Sequence, residues 1–190
     1  MLYQFHIELQ ESSPHVWRRI QVPTHYTFYK LHKAILGAFG WENCHLFQFI
    51  ERGTLQEPYY AIAHDGDGAD PDIVCINAKR AKISKVFHER GQTFFYIYDF
   101  GDYWTHKLTF EGVIRSTDPL MCLEGEGACP PEDVGGMDGY QQMLETFRAG
   151  RAAEKREYRE WLGLAQGKDW DPAYCNIREI NKRLCLLDDQ

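Results

Sequence analysis

The segment YIYDFGDYWTHKL, Tyr96 to Leu108, constrains the fold most strongly, because two apolar runs rich in aromatic residues flank a Gly-Asp tip. That pattern reads as an antiparallel hairpin, and glycine at the first central position suits a type II′ turn. With Gly101 and Asp102 as the turn, Phe100 pairs with Tyr103, Asp99 with Trp104 and Ile97 with His106. Directly opposed residues share a face. One face then carries Phe95, Ile97, Asp99, Trp104, His106, Leu108 and Phe110, and the other carries the tyrosines, Thr105, Lys107 and Thr109. The first is the core face. It makes Asp99 and His106 diagonal neighbours, and a carboxylate or imidazole among apolar groups requires a partner. Either the two satisfy each other structurally, or they line a cleft as metal ligand or general base.

Strand periodicity also marks the N-terminus. Tyr3, Phe5, Ile7 and Leu9 alternate with polar residues, and Val16 to Val22 form a second strand after a turn at Glu11 to Pro14. Thr27 suits an N-cap for a helix carrying Phe28, Leu31, Ile35, Ala38 and Phe39, with Gly40 as its stop. HLFQFIE from His45 and PYYAIA read as paired strands, and Ile83, Val86 and Phe87 as a short helix closed by Gly91. Residues 64–72 form an acidic loop, and residues 116–137 a long irregular one, a length often tied to function. Asp138 is placed to cap a helix through Tyr140, Met143, Leu144 and Phe147. A charged helix follows from Ala152 to Leu162, and Ile177, Ile180, Leu184 and Leu187 line a last one. Strands come first and helices last. The fold class is therefore α+β: one domain over residues 1–190, with a largely antiparallel sheet built from hairpins and helices on one side.

The net charge of −7 disfavours nucleic acid as a bulk partner; the local basic patches open to a phosphate are Arg18 with Arg19, or Lys79, Arg80 and Lys82. The N-terminus lacks the pattern of a signal peptide, and no apolar run is long enough to span a membrane, so a cytoplasmic chain with reduced cysteines is expected.

Further candidate chemistry gathers in two places. His45 shares a strand face with Phe47 and Phe49, where a second histidine would serve a metal site or simply the core. CLEGEGACPPEDVGG, Cys122 to Gly136, concentrates Glu124, Glu126, Glu132 and Asp133 between glycines and the stiff Pro130-Pro131 pair. Its cysteine spacing does not suit a zinc knuckle, and no Lys-Ser or Lys-Thr makes it a phosphate loop. Such an acidic loop either completes a cation site beside the hairpin or acts as a lid on the core. DGDGADPD fails the EF-hand pattern, since Asp70 and Ile76 stand where glycine and glutamate are needed. The DFG triplet lacks every other kinase motif, and no serine lies in a nucleophile context.

Together, VWRRIQVP at 16–23, LHKAILGAFGW at 31–41, HLFQF at 45–49, YDFGDYWTHKL at 98–108, CLEGEGACPPEDVGG at 122–136 and YCNIREINKRL at 174–184 resemble the plasmid pRiA4b ORF-3-like family, some of whose members are passengers of transposable elements. The resemblance covers nearly the whole chain. It implies a compact α+β domain and brings no settled activity. Family members often read His-Leu-His where this chain has His45-Leu46-Phe47, which removes one potential ligand. The acidic charge and the lack of an arginine-framed nucleophile argue against recombinase chemistry.

Three functions are consistent with these residues. The first is a module that binds a ligand or a protein partner in a cleft lined by His45, Asp102, Trp104, Glu132 and Asp133. The second is a metal-dependent hydrolase-like enzyme using His45, Asp99, His106 and the Glu132–Asp133 pair, with a divalent metal on His45, Asp99 and His106 and with Asp99 and His106 also the catalytic candidates. The third is a DNA-associated accessory protein using Arg18 and Arg19.

Overall fold

A computed structural model describes residues 1–51, 58–62, 73–117 and 120–188; the acidic loop at 64–72 lies outside the described residues. Among the described residues, eight strands form one sheet: β1 (Leu2–Leu9), β2 (Trp17–Pro23), β3 (Phe47–Ile50), β4 (Tyr59–Ala61), β5 (Cys75–Asn77), β6 (Thr93–Tyr98), β7 (Trp104–Ile114) and β8 (Met121–Glu126). Their order is β5-β4-β3-β6-β7-β1-β2-β8, and β4–β5 is the parallel pair in an otherwise antiparallel ladder. Among the described residues, four α-helices complete the α+β architecture: α1 (Phe28–Phe39), α2 (Gly136–Ala149), α3 (Ala152–Trp161) and α4 (Ile177–Asp188), and the short helix expected near Ile83 is a single 3-10 turn, Ile83–Lys85.

The alternation expected of β1 and β2 is present. Phe5, Ile7, Leu9, Ile20 and Val22 are buried on the face that α1 covers, while the opposite face carries an ion-paired ladder of Gln4, Arg19, Glu111 and Glu124. Helix α1 begins as anticipated, with Thr27 Oγ1 accepting from Lys30 N, and ends at Gly40 in the left-handed region (φ 102°). Phe28 anchors it through ring contacts with Phe49, Phe87 and Phe94, and α4 packs on α1 and over β8.

Three expectations are corrected. The hairpin turn spans five residues, because the last ladder pair is Tyr98↔Trp104. Asp99 and Tyr103 both adopt positive φ (58° each), and Tyr103 N bonds back to Asp99 O at 2.6 Å, closing a wider turn than a type II′ pair. Strand β6 is thereby shifted one residue against β7, which exchanges its faces. Tyr96 and Tyr98 join the main core cluster in place of Phe95 and Ile97, although Ile97 remains buried, and His106 pairs with Tyr96. Second, the 116–137 segment is not irregular throughout: β8 lies inside it and pairs with β2 at the sheet edge. The Asn181 carboxamide covers that edge, accepting from Cys122 N (2.7 Å) and donating to Cys122 O (2.9 Å). Third, α2 starts after Gly135, so Asp138 stands in its first turn rather than at its cap, where its charge still opposes the helix dipole favourably.

Candidate functional site

Three connections converge at one end of the sheet: the link from α1 to β3, the turn from β6 to β7, and the loop from β8 to α2. They deliver His45, Asp99, and Glu132 with Asp133. His45 Nε2 lies 3.1 Å from Asp133 Oδ1, 3.6 Å from Asp99 Oδ2 and 3.7 Å from Glu132 Oε2. Even so, it makes no aligned hydrogen bond, and neither does Glu132 Oε2; both atoms are out of solvent contact.

Each inner carboxylate is held by its other oxygen. Asp99 Oδ1 accepts from Gly101 N (2.8 Å), an Asx arrangement that suits the left-handed backbone of Asp99. Glu132 Oε1 accepts from Glu42 N (2.7 Å) and from the Tyr98 hydroxyl (3.0 Å). That hydroxyl in turn accepts from Cys44 N (3.3 Å). Burial, reinforced by the neighbouring Cys44 and Glu132, pushes the Tyr98 phenol far above its usual range, so it remains a donor. One oxygen of each carboxylate is therefore fixed by the protein while the other faces the His45 nitrogen.

The acidic loop is fastened at several points. Trp41 Nε1 donates to Pro130 O (3.0 Å), and Gly135 N donates to Asp102 Oδ2 (3.2 Å). Gly136 (φ 67°) lies so close to the hairpin tip that a Cβ there would sit 2.9 Å from Asp102 O. The loop thus reaches the hairpin, and Asp102 acts as its latch.

His106 and Trp104 take other places. His106 is fully buried, edge-on to Phe39 and Trp41, with Nδ1 near the carbonyls of Trp104 (3.2 Å) and Tyr96 (3.4 Å). Burial lowers its pKa to about 3, so the ring stays neutral. The register that would have set it diagonal to Asp99 is not the one adopted, and it has no carboxylate partner among the described residues. Trp104 is 1% exposed, a core ring beside Trp41. Arg18 is also a structural residue: its guanidinium donates to the carbonyls of Ala38, Trp17, Glu126 and Gly127. Arg19 is paired with Glu111 and Glu124, so neither arginine presents a free charge to a phosphate.

The sequence reading missed Cys44. Its Sγ, a His45 ring nitrogen and a Glu132 oxygen lie within 4.8 Å of one another, as do donor atoms of His45, Asp99 and Asp133. Only its place directly before His45 could have signalled it.

Comparison with known proteins finds relatives in sequence and in fold. The chain is 33% identical over 179 residues to the uncharacterised protein y4hQ of Sinorhizobium fredii, covering 93% of this chain and 87% of that one. It is similar to the crystal structure of the protein of unknown function MM3350 from Methanosarcina mazei, with a TM-score of 0.75, 32% identity, and coverage of 94% of this chain and 96% of the other. Residues 1–179 match the family model described as plasmid pRiA4b ORF-3-like protein, and the chain belongs to that family.

Proposed function

We propose that the protein is a divalent-cation-binding domain whose ion sits among His45, Asp99, Glu132 and Asp133. One observation carries this reading: the buried His45 nitrogen is surrounded by carboxylate oxygens from three residues at 3.1–3.7 Å and makes no hydrogen bond to any of them. Three clustered carboxylates repel one another, and a dication offsets that repulsion while accepting the imidazole lone pair. One nitrogen among oxygens suits Mn²⁺, Fe²⁺ or Zn²⁺ better than Ca²⁺ or Mg²⁺, which take oxygen donors. The Tyr98 and Gly101 bonds orient the carboxylates as outer partners do around protein-bound metals. The ion is the ligand of a binding module, or the anchor for one.

A second reading, a metal-dependent hydrolase, is favoured by the 70% exposure of the Asp133 side chain, which leaves one side of the cluster open to water. Calorimetric titration of metal-stripped protein with ZnCl₂ tests the cation site. One saturable site per chain, abolished in His45→Ala, is expected. Absence of binding to the wild type, or unchanged binding in the variant, contradicts it.

A further inference from the structure

We infer that Cys44 is a ligand of this site and that its thiolate selects an ion of the zinc class over hard cations. The inference rests on the cation-site reading and adds the identity of the ion. The donor atoms form two trios that share His45: Cys44, His45 and Glu132 on one side, and His45, Asp99 and Asp133 on the other. Donors around a tetrahedral zinc stand about 3.5 Å apart, given Zn–N near 2.0 Å and Zn–S near 2.3 Å. The Cys44 trio, already within 4.8 Å, needs only a side-chain adjustment to close on an ion.

Nothing strong holds the Cys44 sulfur where it is. Its contact is with the Tyr98 hydroxyl at 3.8 Å, a weak interaction for a thiol. Its backbone, by contrast, is tied by Cys44 N to that same hydroxyl, which also orients Glu132. Tyr98 is therefore a positioning residue for two ligands at once. Cys44 is an exposed cysteine at the site, unlike the buried Cys122. A thiolate, an imidazole and a carboxylate suit Zn²⁺ or Co²⁺, whereas Mg²⁺ and Ca²⁺ disfavour sulfur. The fourth position then falls to a carboxylate of the other trio, Asp99 or Asp133.

Cobalt reports thiolate ligation directly. One equivalent of Co²⁺ added to the metal-stripped chain is expected to produce a near-ultraviolet thiolate-to-cobalt charge-transfer band. Cys44→Ser should lose that band and bind Zn²⁺ at least about tenfold more weakly, with an unchanged far-ultraviolet circular dichroism spectrum. Cys129→Ser should keep the band, which separates Cys44 from the other thiols. Co²⁺ bound without the band, or a band that survives in Cys44→Ser, overturns the inference and leaves the cation site standing. Failure of the wild type to bind either Co²⁺ or Zn²⁺ overturns both.

Discussion

At the scale of single residues, the division of labour between carboxylate oxygens distinguishes this cluster from a group of surface acids. Tyr98 is central, since its hydroxyl holds Glu132 Oε1 and receives Cys44 N. Tyr98→Phe keeps the buried ring and removes only that link. It is expected to weaken metal binding about 10- to 100-fold and to lower stability by about 1–2 kcal/mol; titration and urea unfolding separate the two effects. Equal stability loss with unchanged affinity would mean that the hydroxyl serves the fold alone. His45, Asp99, Glu132 and Asp133, which the structure brings together, stood out in the sequence as candidates because a histidine and acids lay beside apolar strands and stiff loop residues. Cys44 was not, because a lone cysteine in a chain with six scattered cysteines carries no spacing signal.

At the scale of elements, the hairpin and the acidic loop were recognisable, but their detailed geometry was not. A Gly-Asp pair suggests a two-residue turn, yet Asp99 and Tyr103 at positive φ widen it and shift β6 by one residue. Because strand side chains alternate, that single step moved His106 away from Asp99 and turned Tyr96 and Tyr98 inward, where hydroxyl bonds to His32 and Glu132 reward the change. Strand β8 escaped notice because Gly125 and its acids read as loop, and its pairing depends on β2 and α4. The loop after β8 reaches the site through close backbone approach at Gly136, together with its hydrogen bonds to Trp41 and Asp102. Gly136→Ala is therefore expected to cost about 1–2 kcal/mol from the left-handed backbone alone, and to weaken metal binding as the loop shifts. Denaturant unfolding and metal titration check both; wild-type values in each would refute this account of the loop.

At the scale of the whole molecule, two buried histidines make stability depend on pH. Burial lowers His32 to about 4 and His106 to about 3, while their unfolded values lie near 6.5. Below that value the unfolded chain takes up protons that the folded chain refuses. Stability is complete above pH of about 6.5 and falls as the pH drops towards the folded values, by roughly 3 kcal/mol for His32 alone near pH 4. Urea midpoints of metal-free protein should decline across that window, and a flat profile would contradict the burial argument. Bound metal should raise the melting temperature, by an amount corresponding to about 2.7 kcal/mol at a free concentration of 100 Kd. No helix among the described residues is long and apolar enough to cross a membrane. The most direct measurement of the central claim is the metal-to-protein ratio, by elemental mass spectrometry after zinc loading and exhaustive dialysis, for the wild type and Glu132→Gln. Glu132→Gln preserves the side-chain shape and can retain the carbonyl that accepts from Tyr98 and Glu42, while removing the charge that faces His45. A ratio near one that falls towards zero in the variant is the result this account predicts; a wild type without metal, or a variant that retains it fully, would contradict it.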